Sequence, residues 1–425
     1  MLLEFRVNNY RSIKDTEVFS MISSEEVHSF QVNKYHLLQT AVLYGANASG
    51  KSNILRAFSF MKNYVLNTKK VMQSIDKLPY DPFLLNTETE DSSSLFEIIF
   101  IIDNIKYRYG FEADKNTVYS EWLFEDQTGK KEAKLFQRDR DDKIFYINPE
   151  RFKEGSGLKA QENQLFIWKC DQEGGEISRK IFNWFLNLTY LNGIDFEKYI
   201  TDTINELQNK NTRDDIIKLL KAADLGINSF SITEEELPKD YIAKISLSDN
   251  FKGIIENEPN REVVIVKTNT KHTQYDEANL PVEKEVTFNL YEHESLGTSK
   301  FFSLTAPILG AIKQGSLLII DELDASLHPL LTKKLISLFH DKNINKNNAQ
   351  LIFTTHDTNL LNTRFFSREQ VWLIEKDSFS STHSNSLLEF KGIRPTENFE
   401  KNYIMGKYGA IPYLGEFNFT EDNDG

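Results

Sequence analysis

The chain has 425 residues, with 50 Lys and Arg against 63 Asp and Glu, which makes a formal net charge of −13. This length predicts two or three domains, or one large domain with an insertion. The acidic balance argues against a broadly basic coat for nucleic acid, although a local basic patch stays open. Because Cys170 is the only cysteine, an intrachain disulfide and a cysteine-based zinc site are excluded, and a cytoplasmic location is expected.

The apolar runs of the sequence are short. Those at 95–103 and 317–320 are far below the roughly 20 residues that a membrane span needs, so neither a transmembrane helix nor a membrane partner is expected. The chain start, 1–6, lacks the order of basic, apolar and small residues that marks a secretory signal. It is typical of a first strand instead.

The first third of the chain predicts strands and one helix. Apolar and polar residues alternate at 3–7 and 17–21, which predicts an antiparallel pair. A strand is predicted at 41–44, and from residue 51 apolar residues recur at helical spacing, at 54, 58, 61 and 65. From 95 to 148, β-branched and aromatic residues broken by turn signals predict an antiparallel meander of about four to six strands.

The remaining two thirds are mixed. Helical patterns dominate 177–225, and strands are predicted at 241–247, 262–267 and 285–291, with a polar, mobile loop at 268–278. Helices at 299–313 and 330–340 then alternate with strands at 317–320, 350–354 and 370–374. That order is typical of parallel βαβ units. The acidic tail 421–424 is expected to fray.

The segment 45–52 lies between a predicted strand and a predicted helix. It contains two glycines five residues apart, and the second is followed by Lys and Ser. In this P-loop pattern the backbone N–H groups and the helix dipole point at phosphate oxygens. Lys51 is predicted to reach the β- and γ-phosphates as a catalytic residue, and Ser52 to ligate Mg²⁺, so ATP and Mg²⁺ are the expected ligands. The predicted nucleotide-binding residues here are Gly45, Asn47, Ala48, Ser49, Gly50, Lys51, Ser52 and Asn53. The alternative is an ordinary strand–helix turn with a chance lysine.

Two later strands end in polar residues. The apolar run 317–320 is followed by Asp321, predicted to hold Mg²⁺ through water, and by Glu322, predicted to be the catalytic base. One βα unit later His356 follows a strand, and it is predicted to hydrogen-bond the γ-phosphate. For Asp321 and Glu322, the alternative is a buried strand whose end merely meets solvent. For His356, it is a polar residue with ordinary hydrogen-bond partners. For the acidic turn 323–329, it is a cap of the next helix.

Taken together, these residues resemble the ABC-type ATPase heads of the SMC, RecF and OLD superfamily. In that family a Ser-x-Gly signature precedes a helix upstream of the acidic strand, and residues 294–300 occupy this position. The resemblance implies that Ser295 and Gly297 close over the nucleotide bound to the opposite subunit. It therefore implies a homodimer, or a higher homo-oligomer, with ATP sandwiched between heads. The alternative is that Ser295 is only the N-cap of the helix.

Other segments extend the resemblance. Residues 5–13 look like the opening of this family, in which an arginine of the first hairpin lies near the base or phosphates; Arg6 and Arg11 are the candidates. The segment 81–86 lies about where the Q-loop should be, but it contains no glutamine. More narrowly, 44–52, 297–298, 321–329 and 398–412 resemble the stand-alone ATPases of the RloA and AriA type. Those are associated with bacterial anti-phage defence and often act with a separately encoded effector.

The expected fold class is α/β: a P-loop NTPase of ABC-ATPase type with an antiparallel β subdomain and a mixed helical and strand insertion. The predicted domains are 1–149, with the P-loop and the meander; 150–284, the insertion; and 285–425, with the signature, the acidic strand and the switch histidine. A nuclease domain is not expected, since only about 50 residues follow residue 374. A long coiled coil is not expected either, because the middle shows no sustained heptads.

The expected activity is hydrolysis of ATP to ADP and phosphate. ATP-dependent dimerisation would act as a switch that controls a separate effector, such as a nuclease, in anti-phage defence. One alternative is a DNA-repair ATPase of the RecF kind, against which the charge of −13 counts. Another is a structural scaffold in which ATP holds an assembly together and turnover is incidental.

Overall fold

The structure is a computed structural model that describes residues 1–24, 28–66, 73, 75–236, 264–362, 365–394 and 397–412. The chain divides into two units, one made of Met1–Ile194 with Gly310–Gly425 and the other of Asp195–Leu309. The predicted domain boundaries, after residues 149 and 284, stay predictions. Within the described ranges, no helix combines the length and the apolar character that crossing a bilayer requires.

A seven-stranded antiparallel sheet contains the chain start. Its strands are β1 (Leu2–Asn8), β2 (Glu17–Ser20), β7 (Ser94–Ile102), β8 (Ile105–Ala113), β9 (Val118–Asp126), β10 (Ala133–Asp139) and β11 (Ile144–Ile147). They lie in the order β11-β10-β9-β8-β7-β1-β2. The predicted opening pair and the predicted meander are confirmed. A small sheet of β3 (Ile22–Ser23), β4 (Ser29–Val32) and β5 (Tyr35–Leu38), which no pattern in the sequence predicts, follows β2.

Helix α2 (Phe166–Gln172) begins at a buried carboxylate. Glu121 on β9 accepts hydrogen bonds from the backbone N–H groups of Phe166 and Ile167 and, at 3.1 Å, from the Tyr109 hydroxyl. Arg138 Nε lies 3.1 Å from the same carboxylate. Complete burial raises the pKa of Glu121, although the Arg138 charge and these hydrogen bonds act in the opposite direction.

Removal of this carboxylate is expected to destabilise the protein strongly. Glu121→Ala leaves the Arg138 charge without its carboxylate partner and two helix N–H groups without their acceptor, so the free energy of unfolding should fall by about 3–5 kcal/mol. Urea unfolding followed by circular dichroism measures this loss. The matched control is Glu162→Ala, because Glu162 forms a solvent-exposed pair with Arg140 and its removal should cost at most about 1 kcal/mol. Equal losses in the two variants would contradict the prediction.

A second sheet, of six strands, carries the candidate site. Its strands are β6 (Thr40–Tyr44), β12 (Thr189–Asn192), β16 (Leu317–Asp321), β17 (Gln350–Thr354), β18 (Val371–Lys376) and β19 (Thr382–Ser386). The order is β12-β16-β17-β6-β18-β19, in which the first five strands are parallel and β19 is antiparallel to β18. Every residue of β6, β16 and β17 is buried, as expected for parallel strands covered on both faces.

The parallel arrangement predicted for the last third is confirmed, and it has a consequence for the site. The carboxyl ends of β6, β16 and β17 lie at one edge of the sheet, where open α/β sheets bind ligands. The sequence did not predict strands β12 and β19, since 189–192 lies within a stretch predicted to be helical and 382–386 has no apolar run.

Helix α1 (Lys51–Leu66) follows β6 and joins the two sheets through a shared core. The apolar residues expected at helical spacing are all buried: Ile54, Phe58, Met61 and Val65. The Phe58 ring stacks on Phe5 of β1, with 3.9 Å between ring centroids. This unit also contains α3 (Glu176–Asn187), α7 (Pro329–His340) and α8 (Phe399–Ile404). The α/β fold class is therefore confirmed, together with its antiparallel β subdomain.

The second unit contains α4 (Ile200–Gln208), α5 (Lys210–Ala222), an antiparallel sheet of β13 (Ser229–Glu236), β14 (Val264–Tyr275) and β15 (Pro281–Asn289), and the start of α6 (Leu296–Gln314). The predicted mobile loop at 268–278 is wrong for most of its length, because β14 continues to Tyr275 between two partner strands and buries Thr268 and Thr270 completely. The predicted strand at 241–247 and the tail at 421–424 lie outside the described residues.

Candidate functional site

The segment 45–50 joins the end of β6 to the start of α1. Its backbone leaves no room for side chains at its two glycines. A Cβ atom on Gly45 would lie 2.2 Å from the Ile374 carbonyl oxygen, and one on Gly50 would lie 2.1 Å from Thr382 Oγ1. Gly50 also has a φ of +105°, a conformation that side chains disfavour. The glycines of the predicted P-loop are thus required by close approach and, at Gly50, by backbone conformation.

Lys51 lies in the first turn of α1 with its side chain folded over the loop. Its Nζ donates hydrogen bonds to the carbonyl oxygens of Gly45, at 2.8 Å, and Ala46, at 3.0 Å, and the residue is 7% exposed. Burial lowers the pKa of Lys51, while nearby carboxylates, of which Asp321 contributes most, act in the opposite direction. The ammonium is therefore held beside the backbone that would contact a phosphate.

The Ser49 hydroxyl provides a test of whether this loop fits an anionic ligand. Ser49 is 5% exposed, and Oγ has no hydrogen-bond partner among the residues that the structure describes. A buried polar atom without a partner costs about 1–3 kcal/mol, which a phosphate oxygen accepting from this hydroxyl would remove. The loop also precedes the positive end of the 16-residue helix α1. These features fit the phosphates of a nucleotide.

Asp321, at the carboxyl end of β16, lies beside the loop. Its Oδ1 accepts hydrogen bonds from Thr354 Oγ1 of β17, at 2.7 Å, and from Ser52 Oγ of α1, at 3.1 Å. The two residues predicted to bind the metal, 269 positions apart in the chain, are thus in direct contact. Oxygen ligands of this kind suit Mg²⁺, which is usually held by one or two protein groups together with phosphate oxygens and water. No cluster of three or more His, Cys, Asp or Glu side chains in the described ranges could hold a metal by itself.

Glu322 follows directly in an unusual conformation. Its φ is 54°, in the left-handed region that costs a non-glycine residue roughly 1–2 kcal/mol. Thr354 stabilises this turn, since its Oγ1 accepts from the Glu322 N–H at 2.7 Å and its carbonyl oxygen accepts from the Leu323 N–H at 3.1 Å. Strained backbone that is held by its surroundings is common at functional sites. This geometry places the predicted base at the same sheet edge as the P-loop.

His356, the predicted switch histidine, lies just beyond β17 and its side chain is exposed. Its backbone N–H donates to Asp324 Oδ2 at 3.2 Å, which joins the end of β17 to the acidic turn 323–329. The other oxygen of Asp324, and Oδ2 of Asp357, are buried without a hydrogen-bond partner in the part of the chain described. The structure therefore brings this histidine and two carboxylates to the same edge, and the role of His356 stays a prediction.

The predicted signature lies in the second unit, at the start of α6. Ser295 Oγ accepts from the Thr298 N–H at 3.1 Å, and the Ser295 carbonyl oxygen accepts from the Ser299 N–H at 3.0 Å. These are the contacts of an N-cap, so the alternative interpretation describes what this hydroxyl does in the single chain. Gly297 lies in the first turn of the helix. Closure over a partner's nucleotide stays a prediction for both residues.

The other predicted residues differ in their surroundings. Asn47 and Ala48 are exposed at the tip of the loop, and Ala48 has a φ of 62°. Asn53 directs its side-chain amide to Ser12 Oγ at 2.8 Å, a contact that no local pattern predicts. The structure thus places the side chain of Asn53 against the first hairpin.

The two arginines of that hairpin have carboxylate partners. Arg6 pairs with Glu4, at 2.6 Å, and with Glu97, at 3.2 Å. Arg11 pairs with Asp81 at 2.5 Å, so the segment 81–86, at the expected place of the Q-loop, is tied to the turn between β1 and β2. A position near the nucleotide base or phosphates stays a prediction for these arginines.

Gly193 is a site residue that no motif indicates. Its N–H donates to the Asp321 carbonyl oxygen at 2.7 Å, and a Cβ atom there would lie 2.3 Å from the Glu322 carbonyl oxygen. Because β12 was not predicted, neither was this contact. Only the pairing of β12 with β16 makes the requirement for a glycine visible.

Gly193→Ala is therefore expected to displace the backbone that carries the predicted metal ligand and base. Overpacking of this kind typically costs about 1–3 kcal/mol, and the rate of ATP hydrolysis should fall with it. Thermal unfolding and a phosphate-release assay measure the two effects. The matched control is Gly310→Ala in α6, where a Cβ atom meets nothing within 4 Å and should stabilise the helix. A Gly193→Ala protein with unchanged stability and turnover would show that the backbone relaxes freely.

This fold and site define a class of protein, the P-loop ATPases, in which a P-loop lies beside an acidic strand of a parallel sheet. The family model described as "AAA domain, putative AbiEii toxin, Type IV TA system" matches residues 41–164 and 187–362, which is more than half of the chain. The chain belongs to this family.

No match is found among curated proteins. Among solved structures, the "Structure of the recombination mediator protein RecF-ATPrS in RecFOR pathway" is similar over 91% of this chain and 98% of that chain. The sequence identity is 12% and the TM-score is 0.35, values too low to carry an argument about the activity of this chain.

Proposed function

We propose that this chain binds ATP with Mg²⁺, hydrolyses it to ADP and phosphate, and uses the cycle as a dimerisation switch that controls a separate effector. The observation that carries the proposal is the contact between two motifs from distant parts of the chain. Ser52 Oγ of the P-loop helix lies 3.1 Å from Asp321 Oδ1, and Glu322 follows immediately. A phosphate bound at the loop would therefore lie next to both a metal ligand and a candidate base.

In this proposal the backbone N–H groups of 46–51 bind the phosphates, and Lys51 leaves the loop carbonyls to reach the β- and γ-phosphates. Ser52 and Asp321 hold Mg²⁺, which neutralises part of the phosphate charge when bound. Glu322 orients the attacking water and accepts its proton as the new O–P bond forms and the bond from the γ-phosphorus to the bridging oxygen breaks. His356 hydrogen-bonds the γ-phosphate and so distinguishes ATP from ADP.

Dimerisation follows from the resemblance to ABC-type heads. Ser295 and Gly297 of one copy would close over the nucleotide of the other, so the complete site needs two chains. The position of both residues at the start of α6 supports this, because the positive end of a helix dipole attracts the γ-phosphate charge. Loss of the γ-phosphate would then reopen the dimer.

A role with a separate effector, in anti-phage defence, is supported by two observations of a different kind. The narrower resemblance to ATPases of the RloA and AriA type implies such a partner, for example a nuclease. The family description names a putative toxin and a type IV TA system. The effector itself is a proposal, as is a cytoplasmic location.

The proposal is tested by measuring nucleotide binding, ATPase rate and oligomeric state with purified protein. ATP with Mg²⁺ should shift the chain from monomer to dimer in light scattering, and ADP should not. No nucleotide binding at millimolar concentration would refute the proposal. The same assay with added duplex DNA distinguishes the RecF-like alternative, which requires DNA-stimulated hydrolysis that weakens steeply with salt.

A further inference from the structure

A chain of side-chain hydrogen bonds connects the P-loop to two other elements. Thr382 Oγ1, at the start of β19, lies 3.0 Å from the Ser49 carbonyl oxygen and 2.8 Å from Ser12 Oγ. Asn53 Nδ2, in the first turn of α1, lies 2.8 Å from the same Ser12 Oγ. Ser12 belongs to the turn between β1 and β2. This series of hydrogen bonds therefore starts at the P-loop backbone and ends at α1, the helix that follows the P-loop.

Each donor in this series of hydrogen bonds can find an acceptor within the series. A carbonyl oxygen only accepts and an amide NH₂ only donates, whereas two hydroxyls can share a proton either way. When Asn53 donates to Ser12, Ser12 to Thr382 and Thr382 to the Ser49 carbonyl, each hydroxyl proton is used once. Thr382 is 0% exposed, so its hydrogen bonds are shielded from competing water.

Backbone contacts hold the same elements together. The Thr382 N–H donates to the Ser12 carbonyl oxygen at 2.7 Å, which fixes the start of β19 against the hairpin turn. On the other side, a Cβ atom on Gly50 would lie 2.1 Å from Thr382 Oγ1 and 2.8 Å from its Cγ2. The Gly50 backbone therefore packs directly on the Thr382 side chain.

We propose that Ser12 and Thr382 are positioning residues for the nucleotide site, an inference that rests on the proposed ATP-binding function. They act through the backbone of residues 49–50 and through Asn53, which lie on either side of Lys51 and Ser52. A shift of either anchor moves the N–H groups that bind phosphate and the hydroxyl that contacts Asp321. Misplacement by about 1 Å is enough to cost a site as much as about 100-fold in rate.

The test uses variants that separate the hydroxyl from the shape of the side chain. Thr382→Val keeps the branched shape and removes the hydroxyl, whereas Thr382→Ser keeps the hydroxyl. Thr382→Val should weaken the binding of a fluorescent ATP analogue by about tenfold or more and raise KM for ATP more than it lowers kcat. Thr382→Ser should stay within about threefold of wild type, since the donor to the Ser49 carbonyl is retained.

Ser12→Ala provides an independent measurement at a half-buried position. It removes the acceptor of the Asn53 amide and the proton donor to Thr382, so it should also weaken ATP binding. The double variant Ser12→Ala with Thr382→Val should lose little more than Thr382→Val alone, because the two hydroxyls act in one chain. Near-ultraviolet circular dichroism confirms that each variant is folded.

The outcomes separate this inference from the proposed function. Equal loss of affinity in Thr382→Val and Thr382→Ser overturns the inference, because the hydroxyl would not be the group that matters. If Thr382→Val does not fold, unchanged ATP binding by Ser12→Ala overturns it instead. Wild-type protein that binds no ATP refutes the proposed function itself, whereas binding by wild type and by all variants alike refutes only the positioning role.

Discussion

Glu322→Gln is expected to bind ATP as tightly as the wild type and to hydrolyse it about 10²–10⁴-fold more slowly. The amide has nearly the size of the carboxylate, so the left-handed turn at this position and its hydrogen bonds from the backbone to Thr354 should be kept. What is lost is the group that accepts the proton of the attacking water. Single-turnover phosphate release measures the rate, and equilibrium binding of the ATP analogue measures the affinity.

The same variant should accumulate the closed dimer. If hydrolysis reopens the dimer, blocking it while ATP still binds leaves the sandwiched state as the end point. Light scattering in ATP and Mg²⁺ should show a stable dimer for Glu322→Gln and a transient one for wild type. The matched control is Glu173→Gln, an exposed carboxylate at the end of α2 that should change neither rate nor assembly. Normal turnover by Glu322→Gln would refute the assignment of the base.

Lys51→Ala is expected to lose ATP binding rather than only turnover. The change removes a charged donor, worth about 1.5–3 kcal/mol of binding, so affinity should fall by at least about tenfold and hydrolysis by about 10²–10³-fold. In the free protein it also removes the donor to the carbonyl oxygens of Gly45 and Ala46. Isothermal titration with ATP and Mg²⁺ measures the binding loss.

A control variant and a measurement of folding accompany Lys51→Ala. Lys334→Ala, at an exposed position of α7, should bind ATP as the wild type does. Thermal unfolding of Lys51→Ala shows whether the loop has collapsed, because a folded variant should melt within a few degrees of wild type. A folded Lys51→Ala protein with wild-type affinity for ATP would show that the phosphates lie elsewhere.

Together the two variants separate a switch from a scaffold. A switch needs hydrolysis, so Glu322→Gln and Lys51→Ala should both lose biological output, the first as a trapped dimer and the second as a monomer. A scaffold needs only bound ATP, so Glu322→Gln should keep its output while Lys51→Ala loses assembly. Phage-challenge survival, measured beside the oligomeric state, distinguishes the two cases.

The core of the site could be predicted because each of its motifs is contiguous. A short run of neighbouring residues, such as 45–52 or 316–322, suffices to mark a glycine-bearing turn between strand and helix, or an apolar strand that ends in carboxylates. The contact of Ser52 with Asp321 then follows from one general rule, that parallel strands bring their carboxyl ends to the same edge. The helical spacing of Ile54, Phe58 and Met61 likewise predicts a buried face.

Other features of the structure were not predicted because they depend on residues distant in the sequence. β14 has a polar sequence, which is typical of a loop, yet two partner strands hold it and bury its alternate threonines. Similarly, the four-residue strand β12 lies among helical patterns, and its pairing with β16 is what places Gly193 against Glu322. In both cases tertiary pairing overrides local propensity.

The sequence alone determined the chemistry proposed for this protein: a turn predicted to bind phosphate, a serine and an aspartate predicted to bind Mg²⁺, and a predicted base, each carried by a short segment whose residue types mark it. Only the tertiary structure decided what supports that chemistry. Ser12 and Thr382, 370 positions apart, meet at the P-loop because the first hairpin and the last strand of the six-stranded sheet lie side by side. Such contacts depend on strand order and packing, and no pattern within either segment specifies them.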